Sequence, residues 1–270
     1  MHARHSSKPA YKWNPEEYRA SSSIQKIWGL ELLDKLHLRG NETILDIGSG
    51  DGELTAQIAS RVPEGRVVGI DNSAEMIELS RANFPAERYP NLSFMIKDAT
   101  ELDFDLEFDV IFSNATLHWI LDHSPVIQGI SRGLKAPGKV ILQMGGKGNA
   151  AGVIHSLDAI IREPQWAQYF IGFQFPYKFY SPDEYTGLLK DAGLIPQRVE
   201  LIYKDMAHPG ADSFAAWIRT TWLPYTQRVH ESIRERFVQE IAKRYVAGCP
   251  IDSDGYIHVD MLRLEVEAGK

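Results

Sequence analysis

Asp46, then Gly48, Gly50 and Gly52 at every second position, then Asp71, form a pattern of carboxylates and glycines suited to holding a ligand. The segment Ile44-Leu45-Asp46-Ile47-Gly48-Ser49-Gly50-Asp51-Gly52 runs from an apolar strand into a helix. Glycine in such a loop lets the backbone turn tightly and approach a ligand that a Cβ atom would exclude. Asp71 closes the next apolar segment, Val67-Val68-Gly69-Ile70. An acidic residue at the end of a second strand suits bidentate hydrogen bonding to ribose hydroxyls. A dinucleotide site would space its glycines G-x-G-x-x-G and open a helix N-terminus to a pyrophosphate. Here the spacing is G-x-G-x-G, and carboxylates at Asp46 and Asp51 would repel a pyrophosphate while favouring a cation. The residues therefore point to a nucleoside cofactor that carries positive charge. The plainer alternative is a tight turn in which Asp51 caps a helix.

The elements that must hold these residues alternate along the chain. A leading amphipathic helix is predicted over Pro15 to His37, with apolar positions at Ile24, Ile27, Leu30, Leu33 and Leu36, ending before Arg39-Gly40-Asn41. Strands are predicted at Thr43 to Ile47, Val67 to Ile70, Leu92 to Ile96 and Asp109 to Ser113, with helices at Glu53 to Arg61 and Ala74 to Phe84 between them. A helix over Ser124 to Leu134 leads through the tight turn Ala136-Pro137-Gly138 into a fifth strand, Val140 to Met144. Beyond it come helices at Ala150 to Arg162 and Pro182 to Ala192, a strand at Gln197 to Tyr203, helices at Ser213 to Trp222 and Val229 to Tyr245, and a last strand at Tyr256 to Leu264. The expected class is α/β: a Rossmann-like, seven-stranded, mostly parallel sheet with helices on both faces and a helical cap between the last two strands. Residues 1–12 are expected to be disordered, 13–150 to form the cofactor-binding core, and 151–270 to supply the remaining strands and a helical substrate cap over about 151–192 and 211–247.

With the motifs Asp46-Ile47-Gly48-Ser49-Gly50-Asp51-Gly52, Gly69-Ile70-Asp71 and Lys97-Asp98-Ala99 in place, the chain resembles the class I S-adenosylmethionine-dependent methyltransferases. That resemblance implies that Asp46, Gly48, Ser49 and Gly50 line the methionine end of S-adenosylmethionine and that Asp71, with Asn72, holds the ribose. It also implies that Met76 packs on the adenine and that Asp98 and Ala99 meet its edge, with Gln25, Ser113 and Asn114 completing the cofactor site. Met76 as a core residue and Asp98 as a turn cap are the duller alternatives.

Within that family, Ser113-Asn114-Ala115-Thr116-Leu117-His118-Trp119-Ile120, the leading Trp13-Asn14-Pro15 with Tyr18, Ser22 and Gln25, and Gly145-Gly146-Lys147-Gly148-Asn149 are similar to the trans-aconitate and juvenile hormone acid methyltransferase group, which esterifies small carboxylic acids. The likeness covers the first 150 residues well and is thinner beyond, where Thr220-Thr221-Trp222-Leu223-Pro224-Tyr225 still looks related. It implies His118 and Trp119 at the transferable methyl, and Trp13, Tyr18, Gln25, His118, Trp119 and Trp222 on the acceptor. The amide of Gln25 and the indole of Trp119 are donor types that suit a carboxylate. An ionised carboxylate attacks a sulfonium methyl without a base, whereas a phenol, amine or carbon acceptor would draw on His118 as proton acceptor. N-, C- or other O-methylation, and a regulatory protein that binds the cofactor without turnover, stand as rivals. Lys147, Arg219 and Arg228 are candidates for further carboxylates on a polyacid. The aromatic stretch Trp166, Tyr169, Phe170, Phe173, Phe175, Tyr177, Phe179 and Tyr180 is either an acceptor pocket or the core of the late helices.

A net charge of −7 gives no overall attraction to phosphate backbones, so a small-molecule substrate is expected and a nucleic acid is not. The single cysteine, Cys249, excludes a disulfide framework and a multi-cysteine metal site, and no metal is expected. No run of roughly 18 apolar residues is present, and Met1 to Ala10 is polar. The expectation is a cytoplasmic, monomeric enzyme without a membrane partner.

Overall fold

The computed structural model describes residues 23–270. The expectations placed on residues 1–12, Trp13, Tyr18 and the start of the leading helix lie outside the described residues, as does the side chain of Gln25. The chain divides into two units, which are taken in turn. The larger holds 23–154, Gln174–Ala207 and His258–Lys270; the other holds His155–Phe173 and His208–Ile257.

The sheet has seven strands in the order β3-β2-β1-β4-β5-β7-β6. They are β1 (Thr43–Ile47), β2 (Arg66–Asp71), β3 (Leu92–Ile96), β4 (Phe108–Asn114), β5 (Leu134–Gly145), β6 (Ile195–Pro209) and β7 (Tyr256–Gly269). The first five run parallel, and β7 pairs antiparallel with β5, Leu142 facing Val266 and Gly145 facing Arg263. Parallel strands are buried on both faces, which is why β1 and β4 carry apolar residues at consecutive positions, Ile44-Leu45 and Val110-Ile111-Phe112. One apolar cluster packs Leu45, Ile47, Ile111, Leu142 and Val266 against α4 (Ser124–Gly133). A second packs Ile44, Val67 and Phe112 against α1 (Ser23–Asp34) and α2 (Glu53–Arg61) through Leu32, Leu33, Ile58 and Ala59. The sheet order reverses at β1, which has β2 on one side and β4 on the other, and there the carboxyl ends of the strands open a crevice.

Two expectations need correction. The Ala136-Pro137-Gly138 turn does not precede β5 but lies inside it: the β4–β5 register jumps from Phe108 opposite Leu134 to Val110 opposite Lys139. Strands β6 and β7 run well past their predicted ends. Ladder hydrogen bonds extend strands through polar residues that carry no apolar signal.

In the other unit, α5 (Gly210–Thr221) and α7 (Glu231–Gly248) pack with the short α6 (Leu223–Thr226), all between β6 and β7 in chain order. Its core is aromatic. Trp166 and Phe170 lie 4.9 and 5.6 Å from Phe237, and Phe173 lies 4.6 Å from Tyr225. No helix among the described residues is long and apolar enough to cross a membrane.

Candidate active site

The glycine loop leaves β1 and returns into α2. Gly48, at φ +82°, is where the loop crosses the turn after β4: a Cβ there would meet Thr116 Oγ1 at 2.0 Å. The backbone N–H groups of Gly48 and Ser49 donate to Ile70 O, at 2.8 and 2.9 Å, tying the loop to β2. Gly52, not Asp51, is the N-cap of α2, because its αL conformation (φ +82°) turns the chain where no side chain fits. Asp51, one residue before it, accepts from the first helical N–H, that of Glu53, at 3.3 Å and from Lys26 of α1 at 3.2 Å.

Gly50, at φ +53°, has no atom of the described residues within 4 Å of the position a Cβ would take, and its N–H donates to Asp71 Oδ2 at 3.1 Å. Asp71 Oδ1 accepts from Ser73 N at 2.9 Å. Burial raises the Asp71 carboxyl above the usual carboxylate range, and these N–H donors oppose that rise. Each oxygen keeps a second lone pair, enough to accept a pair of vicinal hydroxyls. Ser49 Oγ is buried without a partner among the described residues. An open backbone at Gly50, an orphaned hydroxyl at Ser49 and a two-oxygen acceptor at Asp71 together fit a nucleoside ligand.

Asp46 sits beneath the loop, 2% exposed, accepting from Thr55 Oγ1 at 2.6 Å. Burial, reinforced by the nearby Asp71 charge, pushes its carboxyl up to about 7 against the Thr55 hydrogen bond. A cation placed beside it would restore the ionised form. Asn72 is exposed beside Asp71, and Met76 is buried in the first turn of α3 (Ala74–Asn83), which Ser73 caps. Asp98 Oδ1 caps the turn Ala99–Glu101, accepting from Thr100 N and Oγ1 at 2.8 and 2.7 Å. Ala99 is buried under that turn. Ser113 Oγ donates to Ile47 O at 2.7 Å, stitching β4 to the end of β1. Asn114 packs against α1, for a Cβ on Gly29 would come 2.8 Å from its Nδ2. Gln25 is on α1, three residues before Trp28.

The turn after β4 carries the acceptor candidates. Ala115 holds a positive φ of 56°, a conformation costly for a residue with a side chain, and a short helical turn, Leu117–Trp119, follows. His118 is surrounded by rings: Trp119, Tyr177 and Phe179 lie with centroids 6.0, 6.1 and 6.2 Å away. Gly145 N donates to His118 Nδ1 at the long limit of 3.5 Å, which leaves Nε2 as the protonated nitrogen of the neutral ring. Burial, then the charges of Arg263 and His123, hold His118 well below the ordinary histidine range.

Sequence reasoning missed His123. It is fully buried, with Nε2 donating to Leu117 O at 2.7 Å and Nδ1 accepting from Tyr185 OH at 3.3 Å. It thereby fixes the turn that presents His118 and Trp119. The aromatic stretch is divided by the fold: Trp166, Phe170 and Phe173 form the core of the helical unit, whereas Tyr177 packs 4.8 Å from Trp119 and Tyr180 lies 4.7 Å from His123. Trp222 sits in the helical unit beside Trp217 and Tyr225, at 5.9 and 6.0 Å. Arg219 there is bonded to Glu235, and Arg228 donates to Tyr169 O at 3.2 Å. Lys147 is exposed. Among the described residues no three His, Cys, Asp or Glu side chains converge as metal ligands.

A family profile described as a methyltransferase domain matches residues 38–192. An uncharacterized methyltransferase of Schizosaccharomyces pombe is 32% identical over 72% of this chain and 75% of its own length. The trans-aconitate 2-methyltransferase of Variovorax paradoxus is 30% identical, covering 90% of this chain and 92% of its own. Among solved structures, the YcgJ protein of Bacillus subtilis superposes with a TM-score of 0.62 at 17% identity, over 92% of this chain and 98% of that one. The phosphoethanolamine N-methyltransferase 2 of Haemonchus contortus, solved with phosphomonomethylethanolamine and S-adenosylhomocysteine, superposes at 0.59 and 20% identity, over 95% of this chain and 57% of its own.

Proposed function

This chain belongs to the methyltransferase-domain family as a class I S-adenosylmethionine-dependent enzyme, and from that premise we propose that it methylates a carboxylate of a small-molecule acid to give the methyl ester. The observation that carries the reading is the state of His118. Burial among aromatic rings and the charge of Arg263 keep its imidazole neutral and weakly basic. A phenol or an ammonium must surrender a proton before it can attack, and a histidine so depressed takes up that proton poorly. A carboxylate is already ionised at neutral pH and needs no base. The full-length likeness to trans-aconitate 2-methyltransferases points the same way.

S-adenosylmethionine, when bound, supplies an electrophilic methyl group on a positively charged sulfur. In the proposal Asp46, Gly48, Ser49 and Gly50 hold its methionine end, Asp71 and Asn72 its ribose, and Met76, Asp98 and Ala99 its adenine. Gln25, Ser113 and Asn114 complete that side. His118 and Trp119, walled by Tyr177 and Phe179, orient the acceptor and keep water from it. The Gln25 amide and the Trp119 indole donate to the carboxylate. Trp13, Tyr18 and Trp222, the division into cofactor core and helical cap, and a monomeric, cytoplasmic enzyme for small molecules belong to the same proposal.

Incubation with methyl-labelled cofactor and a panel of acids, alcohols, phenols and amines is the test. Label released from product by mild alkali is the expected result, and alkali-stable product overturns the ester. The pH profile of kcat/KM for the acid, with S-adenosylmethionine saturating so that Asp46 is held ionised, is expected to be level between about pH 6 and 8, because His118 stays neutral there.

A further inference from the structure

Arg263 is 3% exposed in the middle of β7, and its Nε and Nη2 have no hydrogen-bond partner among the described residues. Buried guanidinium groups are ordinarily paired, because an uncompensated charge out of water is costly. The natural partner would be Glu265, two residues on and on the same face of the strand. That carboxylate is taken: it accepts from Gln143 Nε2 and Arg198 Nη2, each at 2.9 Å, and from Lys35. What Arg263 does touch is the face of Trp28 on α1, 5.7 Å from its ring centroid.

Its position is beside the acceptor turn. Gly145, its ladder partner across the β5–β7 pair, is the residue whose N–H meets His118 Nδ1, and the Arg263 charge is felt at the His118 ring. The guanidinium is pulled down by burial only to about 10, so it stays charged at neutral pH. Trp28, His118 and Gly145 therefore bound a buried, positively charged place with two donors aimed at nothing in the described protein. Two guanidinium N–H groups side by side match the two oxygens of a carboxylate.

We propose that Arg263 is the anion anchor of the acceptor site, binding a carboxylate of the acceptor against Trp28 and His118 through Nε and Nη2. This rests on the acceptor being an acid, not on which of its atoms is methylated. Arg263 selects acids over their neutral esters and amides. Of the cations singled out in the sequence, Arg219 is bonded to Glu235, Arg228 to a backbone carbonyl, and Lys147 is exposed rather than buried beside His118.

The test titrates the intact protein, saturated with S-adenosylhomocysteine, with succinate, propane-1,2,3-tricarboxylate, hexanoate and the neutral trimethyl ester of the tricarboxylate. Expected is binding of at least one acid and none of the ester. Arg263→Met should weaken acid binding by about tenfold or more, and Arg263→Lys by less, with S-adenosylhomocysteine affinity unchanged in both. Arg263→Met should also keep or raise the thermal midpoint, since it removes an unpaired buried charge; a merely structural arginine would show the reverse. Acid binding by Arg263→Met within about twofold of wild type, or no acid binding by wild type, overturns the anchor. The ester reading fails separately: Arg263-dependent acid binding together with alkali-stable methylated product keeps the anchor and discards the ester.

Discussion

Asp46 and Asp71 are two carboxyl groups that the fold withdraws from water to different ends. Asp71 keeps its oxygens in contact with the loop it serves, through Gly50 and Ser73. Asp71→Ala is expected to weaken S-adenosylmethionine binding by about 10- to 100-fold, the loss of hydrogen bonds to a charged acceptor, and calorimetric binding equal to wild type would remove Asp71 from the ribose. Asp46, raised to about 7, is largely protonated below neutrality in the free protein. A cationic ligand draws that proton off, so affinity should rise as pH increases through about 7, and binding at pH 6 should release a proton. Calorimetry in buffers of different ionisation enthalpy reads this directly. Asp46→Asn should abolish the release, and a release that persists in that variant would place its source elsewhere.

At the scale of elements, the loop's glycines divide by what surrounds them. Gly48→Ala puts a methyl on Thr116 and is expected to cost at least about 3 kcal/mol in denaturant unfolding, from backbone strain and overpacking together. Gly50→Ala meets no atom of the described residues and should cost only about 1–2 kcal/mol, while its cofactor affinity falls because the methyl occupies the ligand's side of the loop. An undiminished affinity in Gly50→Ala would mean that the ligand approaches from another direction. This loop was legible in the sequence: β1, α2 and β3 lie within the predicted residues, since buried parallel strands and a glycine-marked turn leave a clear pattern. Strands β6 and β7 were legible over their first stretch, and each runs on past its predicted end. Burial along β6 is partial and irregular, and its length follows from pairing, which leaves no mark on its own residues.

For the molecule as a whole, the neutral His123 under the acceptor turn sets an acid limit. Its pKa falls from 6.5 to about 4 on folding, chiefly by burial, against hydrogen bonds to the backbone that raise it. A base with a depressed native pKa stabilises the fold fully above its unfolded value and loses that contribution as pH falls toward its folded one. Stability should therefore decline by about 3 kcal/mol between pH 6.5 and 4 from His123 alone. Urea unfolding of wild type and His123→Phe across that range would show it. The variant's curve should be the flatter, and parallel curves would acquit His123.

Fold class, the glycine loop after β1 and the turn after β4 are legible in the sequence, because each is written in residues close together in the chain: Asp46 to Gly52, Asp71, Ser113 to Trp119. Packing alone divides the aromatic stretch after Trp166, half to a helical core and half to the surroundings of His118. Only the tertiary structure brought His123 under the turn and set Arg263, far along the chain, opposite Gly145. Strand pairing joins distant residues, and burial decides which charges stay paired. Neither leaves a local pattern, so the chemistry of the acceptor side appears only when the sheet closes β7 against β5.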